Sequence, residues 1–129
     1  MSTYGSGHIV TDGLIFYVDA ANQRSYVSGD TIINDLTINN NDGTLINGVS
    51  YDPLNGGSLV FDGVDDYIVS ANNTGIAGTT PRTLMAWAWM GDLYASVIAR
   101  LGPTGGESFE MQVNASRLIM HKNNGSPSY

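Results

Sequence analysis

An all-β fold, antiparallel strands closed into a sandwich or barrel, is predicted for this chain by three observations. The composition holds 16 glycines among 129 residues, with many Asn and Asp and only 5 Lys and Arg, which disfavours helices and suits strands joined by tight turns. Turn dipeptides recur along the whole length, at Asp12-Gly13, Asp42-Gly43, Asn47-Gly48, Asn55-Gly56-Gly57, Asp62-Gly63 and Asn124-Gly125. Between them apolar residues alternate with a period of two, the signature of a strand with one face buried.

Taken in order, residues 1–12 lack alternation and read as an N-terminal arm. In "GLIFYVDAA" Leu14, Phe16 and Val18 share one face, and Ile15, Tyr17 and Asp19 the other. Residues 20–44 are polar and Asn-rich, a long excursion holding a short strand at Ile32-Ile33. "SLVFD" sets Leu59 and Phe61 against Val60, and beyond the turn Tyr67 and Val69 oppose Ile68, so a hairpin looping through Asp62-Gly63-Val64-Asp65-Asp66 is expected. In "RTLMAWAWM" both sets are apolar, Leu84, Ala86 and Ala88 against Met85, Trp87 and Trp89, which predicts a strand covered on both faces. "ASVIARL" follows. "SFEMQV" is then expected to turn Phe109, Met111 and Val113 inward and Glu110 and Gln112 outward, with a turn at Asn114-Ala115-Ser116 leading back into "RLIMH" as a hairpin.

A chain of this length with 42% hydrophobic residues has enough apolar surface for one domain and too little for two of ordinary size. Acids outnumber bases 12 to 5, giving a net charge of -7. Nucleic-acid binding relies on neutralising phosphates with Lys and Arg, so that class is excluded; cations, sugars and protein surfaces remain. Without cysteine there is no disulfide framework and no thiol chemistry. The N-terminus lacks the basic and apolar regions of a secretory signal, and "TLMAWAWM" is too short to span a bilayer. The expectation is a soluble protein with no membrane partner which, if it works outside a cell, leaves by another route such as release within a virus particle.

The succession "GLIFYVDAANQRSY", "INDLTINNNDGTLINGVSYDP", "GGSLVFDGVDDYIV" and "TLMAWAWM" resembles the concanavalin A-like lectin and glucanase superfamily, and within it the laminin G-like jelly-roll domains. Those domains carry an "FDG" strand, a "DDY" turn and a later strand with an Ala-Trp pair, here Ala86-Trp87. The resemblance runs from Gly13 to His121. It implies an antiparallel two-sheet jelly-roll sandwich over 13–129, incomplete at the C-terminus because the strands that usually follow "RLIMHKNNG" have no counterpart. The "YVDAAN…SY…DL" opening is similar to modules of tailed-bacteriophage structural proteins and of secreted bacterial proteins. The function implied is a non-enzymatic virion subunit of a phage tail or capsid, homo-oligomeric and bound to other virion proteins. The alternative is an extracellular glycan-binding adhesin or host-recognition module, calcium-dependent in some relatives.

Asp62, Asp65 and Asp66 are the candidate metal ligands. Asp and Gly in such a loop are explained by turn chemistry alone, while Ca2+, which takes several oxygen ligands, is the functional alternative. A second polar group, Asp19, Asp35, Asn39, Asn40, Asn41 and Asp42, either satisfies loop backbone or meets a ligand. Asp35 and Asn40 from this group, with Trp89, form the candidate glycan set, and Trp87 is expected in the core. Glu107 and Glu110 lie three apart on one strand and so face opposite ways, which does not suit the paired acids of a glycosidase. No catalytic residue is assigned, and His8 and His121 read as surface residues. Asn72, Asn114 and Asn124 begin glycosylation patterns, which matter only in a eukaryotic secretory setting.

Overall fold

A computed structural model describes residues 9–70, 81–91, 96–102, 107–114 and 117–124. They belong to two compact units, residues 1–74 and 75–129. The described residues are all-β: eight strands in three small sheets, every pairing antiparallel, and one 3-10 turn at Leu54–Gly56. No helix among them is long and apolar enough to cross a membrane.

The first unit holds strands β1 (Ile32–Ile33), β2 (Gly43–Ile46), β3 (Ser50–Asp52), β4 (Ser58–Val60) and β5 (Tyr67–Ser70). β2 is central in one sheet, between β1 and β5, and β3 with β4 makes a separate ribbon. The short strand expected at Ile32-Ile33 is present, with Ile33 only 1% exposed. β5 alternates as expected, Tyr67 and Val69 outward and Ile68 half-buried. The expected hairpin between "SLVFD" and β5 does not form, because β4 pairs with β3 and β5 with β2. Residues 61–66 therefore carry the chain from one sheet to another.

Two other expectations are corrected here. Asp42-Gly43 is no turn: Gly43 opens β2 and is buried. A Cβ on it would stand 2.6 Å from Ile68 Cγ2 and 3.0 Å from Ile33 Cγ2, so glycine is required by close packing. The segment 14–18, expected as a strand, belongs to no ladder. Its polar groups are met instead by the loop 35–41. Leu36 N donates to Tyr17 O (2.8 Å), and the Ile15 carbonyl accepts from Thr37 Oγ1 (3.2 Å), Asn39 Nδ2 (3.0 Å) and Asn41 Nδ2 (3.1 Å). Asn and Thr side chains thus do what a neighbouring strand does elsewhere.

The core of the first unit is partly polar. Ser25, fully buried, donates to Asn34 O at 2.7 Å and accepts from Asp19 N at 3.0 Å. Buried Tyr26 packs its ring against Tyr51, centroids 5.4 Å apart, an aromatic contact that adds to simple area burial. Asn47 and Gly48 both adopt positive φ, which lets the chain leave β2 and reverse towards β3; an Asn-Gly pair tolerates this where a β-branched residue does not.

The second unit holds β6 (Ser96–Leu101), β7 (Glu107–Asn114) and β8 (Arg117–Asn124) in one meander, with a register shift between Val97 and Ala99. The expected β7–β8 hairpin is present, Met111 opposite Met120 and Val113 opposite Leu118. The inward and outward assignment on β7 is corrected at Glu110, which is 4% exposed. Its Oε1 lies 2.8 Å from Arg100 Nε, its cross-strand neighbour, and accepts from Ser108 Oγ at 2.9 Å. A carboxylate enters a sheet interior only with such partners. The strand expected at 82–90 is also corrected. Residues 81–90 pair with no strand among the described residues, and Trp87 and Trp89, at 90% and 91% exposure, are not covered.

Candidate functional site

The loop between β4 and β5 is organised by its own acids. Asp62 Oδ1 accepts from Val64 N at 2.8 Å and from Asp65 N at 3.4 Å, and Asp66 Oδ2 accepts from Asp62 N at 3.0 Å. Gly63 sits between them at φ 77°, the left-handed conformation that closes so short a bend. Asn47 Nδ2 reaches across from the β2 end to Asp65 O at 2.8 Å. The three carboxylates expected as a group are brought together: one oxygen from each of Asp62, Asp65 and Asp66 lies within 4.8 Å of the others.

Two of the six carboxylate oxygens already accept backbone amides. A third, Asp66 Oδ1, is shut off from solvent and has no hydrogen-bond partner among the described residues. A hard divalent cation takes six to eight oxygen ligands, so a bound calcium ion would draw on the free oxygens of all three residues and need others besides. The turn role is the one with bonds to show for it. Asp62→Ala is expected to weaken the first unit by about 1 kcal/mol in calcium-free buffer, since it removes the acceptor of two amides; urea unfolding followed by near-ultraviolet circular dichroism measures this.

The second polar group gathers around Asp35, which is 7% exposed. Its Oδ1 accepts from Tyr17 N (3.0 Å) and Thr37 N (3.0 Å), and its Oδ2 from Thr37 Oγ1 (2.8 Å) and Asn41 N (2.9 Å). Burial alone pushes this carboxyl up, but the hydrogen bonds from Tyr17, Thr37 and Asn41 outweigh it and hold Asp35 below the ordinary carboxylate range. The Asp35 amide in turn donates to Asp42 Oδ1 at 2.8 Å. Nearby, burial and the Asp19 carboxylate push the Tyr17 hydroxyl up, its oxygen 3.3 Å from Asp19 Oδ2.

The candidate glycan set is divided. Asp35 spends its oxygens on the chain itself, whereas Asn40 is exposed at φ 51° and donates from Nδ2 to Ile38 O at 3.3 Å. Trp89 belongs to the second unit. There Leu84, Met85, Trp89, Met111, Val113 and Leu118 help to line an open, mainly apolar groove of about 610 Å3. Arg82 lies over the Phe109 ring, 5.4 Å from its centroid, the geometry of a cation–π contact. Glu110 is occupied by Arg100 and Ser108. The side chains of Glu107 and His121, all of His8, and parts of the three glycosylation patterns lie outside the described residues.

Sequence reasoning missed Ser25 and Gly43 as organisers of the first unit, and the Arg100–Glu110 pair. A cross-strand opposite-charge pair can be sought only after the register is known, and a buried Ser gives no pattern at all.

No protein-family profile and no curated protein matches the chain. Among solved structures, the fold is similar to that of an S-layer domain-containing protein (residues 221–444) from Clostridium thermocellum ATCC 27405, with a TM-score of 0.57 and 19% identity over 88% of this chain. The match spans 58% of that structure's length, and at this identity the likeness concerns the fold alone.

Proposed function

We propose that the chain is a non-enzymatic structural module of a virus particle, a phage tail or capsid accessory subunit, that displays a lectin-like jelly-roll sandwich of the concanavalin A-like, laminin G-like kind and assembles with neighbouring proteins. The observation that carries this reading is the surface of the second unit, where Met85 and Trp89 stand at 70% and 91% exposure on an apolar groove and Trp87, on the same segment, is 90% exposed. Contiguous exposed apolar surface of this sort marks a place where another protein belongs. The capture of Glu110 by Arg100 supports a role without acid catalysis. The motif succession from Gly13 to His121 supports a particle protein. Mass spectrometry of purified particles is expected to find the chain at fixed stoichiometry, and Trp89→Asp to remove it from particles while the purified variant keeps its circular dichroism. Absence from particles, or normal incorporation of the variant, would overturn the reading.

The exposure of both Trp rings also favours a second reading, an extracellular glycan-binding module, since aromatic faces open to solvent stack on sugar rings. It predicts retention on immobilised glycans that Trp87→Ala and Trp89→Ala abolish. Where Asp62, Asp65 and Asp66 hold calcium, a chelator releases the chain as well.

A further inference from the structure

We propose that Asn55 is a site of spontaneous covalent modification: the main-chain nitrogen of Gly56 displaces ammonia from the Asn55 side chain, and water opens the resulting ring to isoaspartate and aspartate. The site needs no partner but water, and it stands whether or not the assembly reading holds.

Deamidation by this route is quickest at Asn-Gly, because glycine leaves the attacking nitrogen unhindered. Two such pairs are described in full, Asn47-Gly48 and Asn55-Gly56. In both the Asn is exposed and at positive φ, 67° and 55°. Their side chains are not alike. Asn47 Nδ2 donates to Asp65 O at 2.8 Å, so this amide is held against the loop 61–66 and cannot turn towards Gly48 until that bond breaks. Asn55 has no side-chain hydrogen bond among the described residues. One net hydrogen bond corresponds to about a tenfold difference in rate.

At ψ 28° the Gly56 nitrogen faces away from the Asn55 side chain, so the turn has to open before the ring closes. That turn is a weak one. It is a single 3-10 turn with residues 53–56 exposed, and it joins strands of three residues each. A left-handed Asn is a sparsely populated state, and exposed loops of this kind open at the low end of the local-unfolding scale.

The step balances. The Gly56 nitrogen gives its proton to hydroxide or a buffer base and bonds to Asn55 Cγ; the Cγ–Nδ2 bond breaks, and the departing nitrogen takes up one proton and leaves as ammonia. One water then adds to the succinimide. Opening at Cγ gives aspartate, and opening at the main-chain carbonyl gives isoaspartate, in which the chain runs through Cβ and Cγ and is one atom longer. Gly57 has no room to take up the extra length: even a Cβ there would overlap the Tyr51 hydroxyl and stand 3.1 Å from Ala20 O. Tyr51 packs on buried Tyr26, so the modification loosens the first unit.

The purified chain, incubated in heavy-oxygen water at mildly alkaline pH and mapped by mass spectrometry, is expected to take label at residue 55 about tenfold faster than at residue 47. In urea, where both turns are lost, the two rates should converge. Asn55→Gln, which has a larger and slower-forming ring to close, should lose the label at 55 while keeping its circular dichroism and its labelling at 47. The isoaspartate form, separated by its added charge, should melt below the parent. Labelling of the folded chain no faster at 55 than at 47 overturns the proposal, as does a rate difference that survives in urea and so belongs to the sequence neighbours alone. An isoaspartate form that melts with the parent overturns the loosening of the β3–β4 ribbon. None of these results depends on incorporation into particles.

Discussion

Asp35→Ala is expected to destabilise the first unit by about 3–5 kcal/mol, more than any other single truncation proposed for this protein. The substitution removes four hydrogen bonds to a buried carboxylate and leaves the amides of Tyr17, Thr37 and Asn41 facing an empty space. Orphaning a buried donor costs about 1–3 kcal/mol, more when the lost partner is charged. A drop in Tm of about 10 °C or more follows, seen in the near-ultraviolet signal of Tyr17, Tyr26 and Tyr51. The effect is pH-dependent with a definite sign. Asp35 is held below its ordinary range in the folded chain, so the unfolded chain takes up its proton first as the pH falls. The stabilisation is complete above the unfolded carboxyl value of about 4 and is lost as the pH drops through the folded value below it. The gap in Tm between the parent and Asp35→Asn should accordingly be widest near neutrality and close progressively below about pH 4; a gap that is constant with pH would refute this account.

The second large effect is expected at Gly43. Ala there pushes a methyl into Ile68 Cγ2 and Ile33 Cγ2 together, both on β-branched side chains whose χ1 is stiff, and Ile33 is almost fully buried. Overpacking of this kind costs about 1–3 kcal/mol, and Val, with two more methyl groups, is expected at the upper end or beyond. The check is a double-mutant cycle. Ile68→Ala alone destabilises by cavity formation, but combined with Gly43→Ala it should cost less than the sum of the two, by about 1 kcal/mol. Additive losses would mean that the two side chains do not meet.

The same residues show how far the fold could be read from the chain. The alternation at Tyr67-Ile68-Val69 and the hairpin leading into "RLIMH" were legible because they are local, set by the pleat and by a short connection. Pairing was not: nothing within "SLVFD" or "YIVS" says that one joins β3 and the other β2. Asp42-Gly43 looks like a turn because its dipeptide is one that turns favour, but tertiary packing against Ile33 and Ile68 decides its conformation. Glu110 was assigned outward on polarity, and Arg100, placed opposite by a bulged register, reversed that. Of the candidate site residues, Asp62, Asp65 and Asp66 could be grouped from the sequence because neighbours in one loop stay neighbours in space. Asp35 was chosen for the right reason, a polar group in a loop poor in ladder bonds, yet its oxygens serve the backbone.

The segment 14–18 is fastened chiefly through its carbonyl oxygens, three of the contacts converging on Ile15. Deuterium uptake reads amides and not carbonyls, so Ile15, Phe16 and Val18 should label quickly despite being fixed in place, while the Tyr17 amide, bonded to Asp35 Oδ1, is protected. A protease should leave the same bonds uncut.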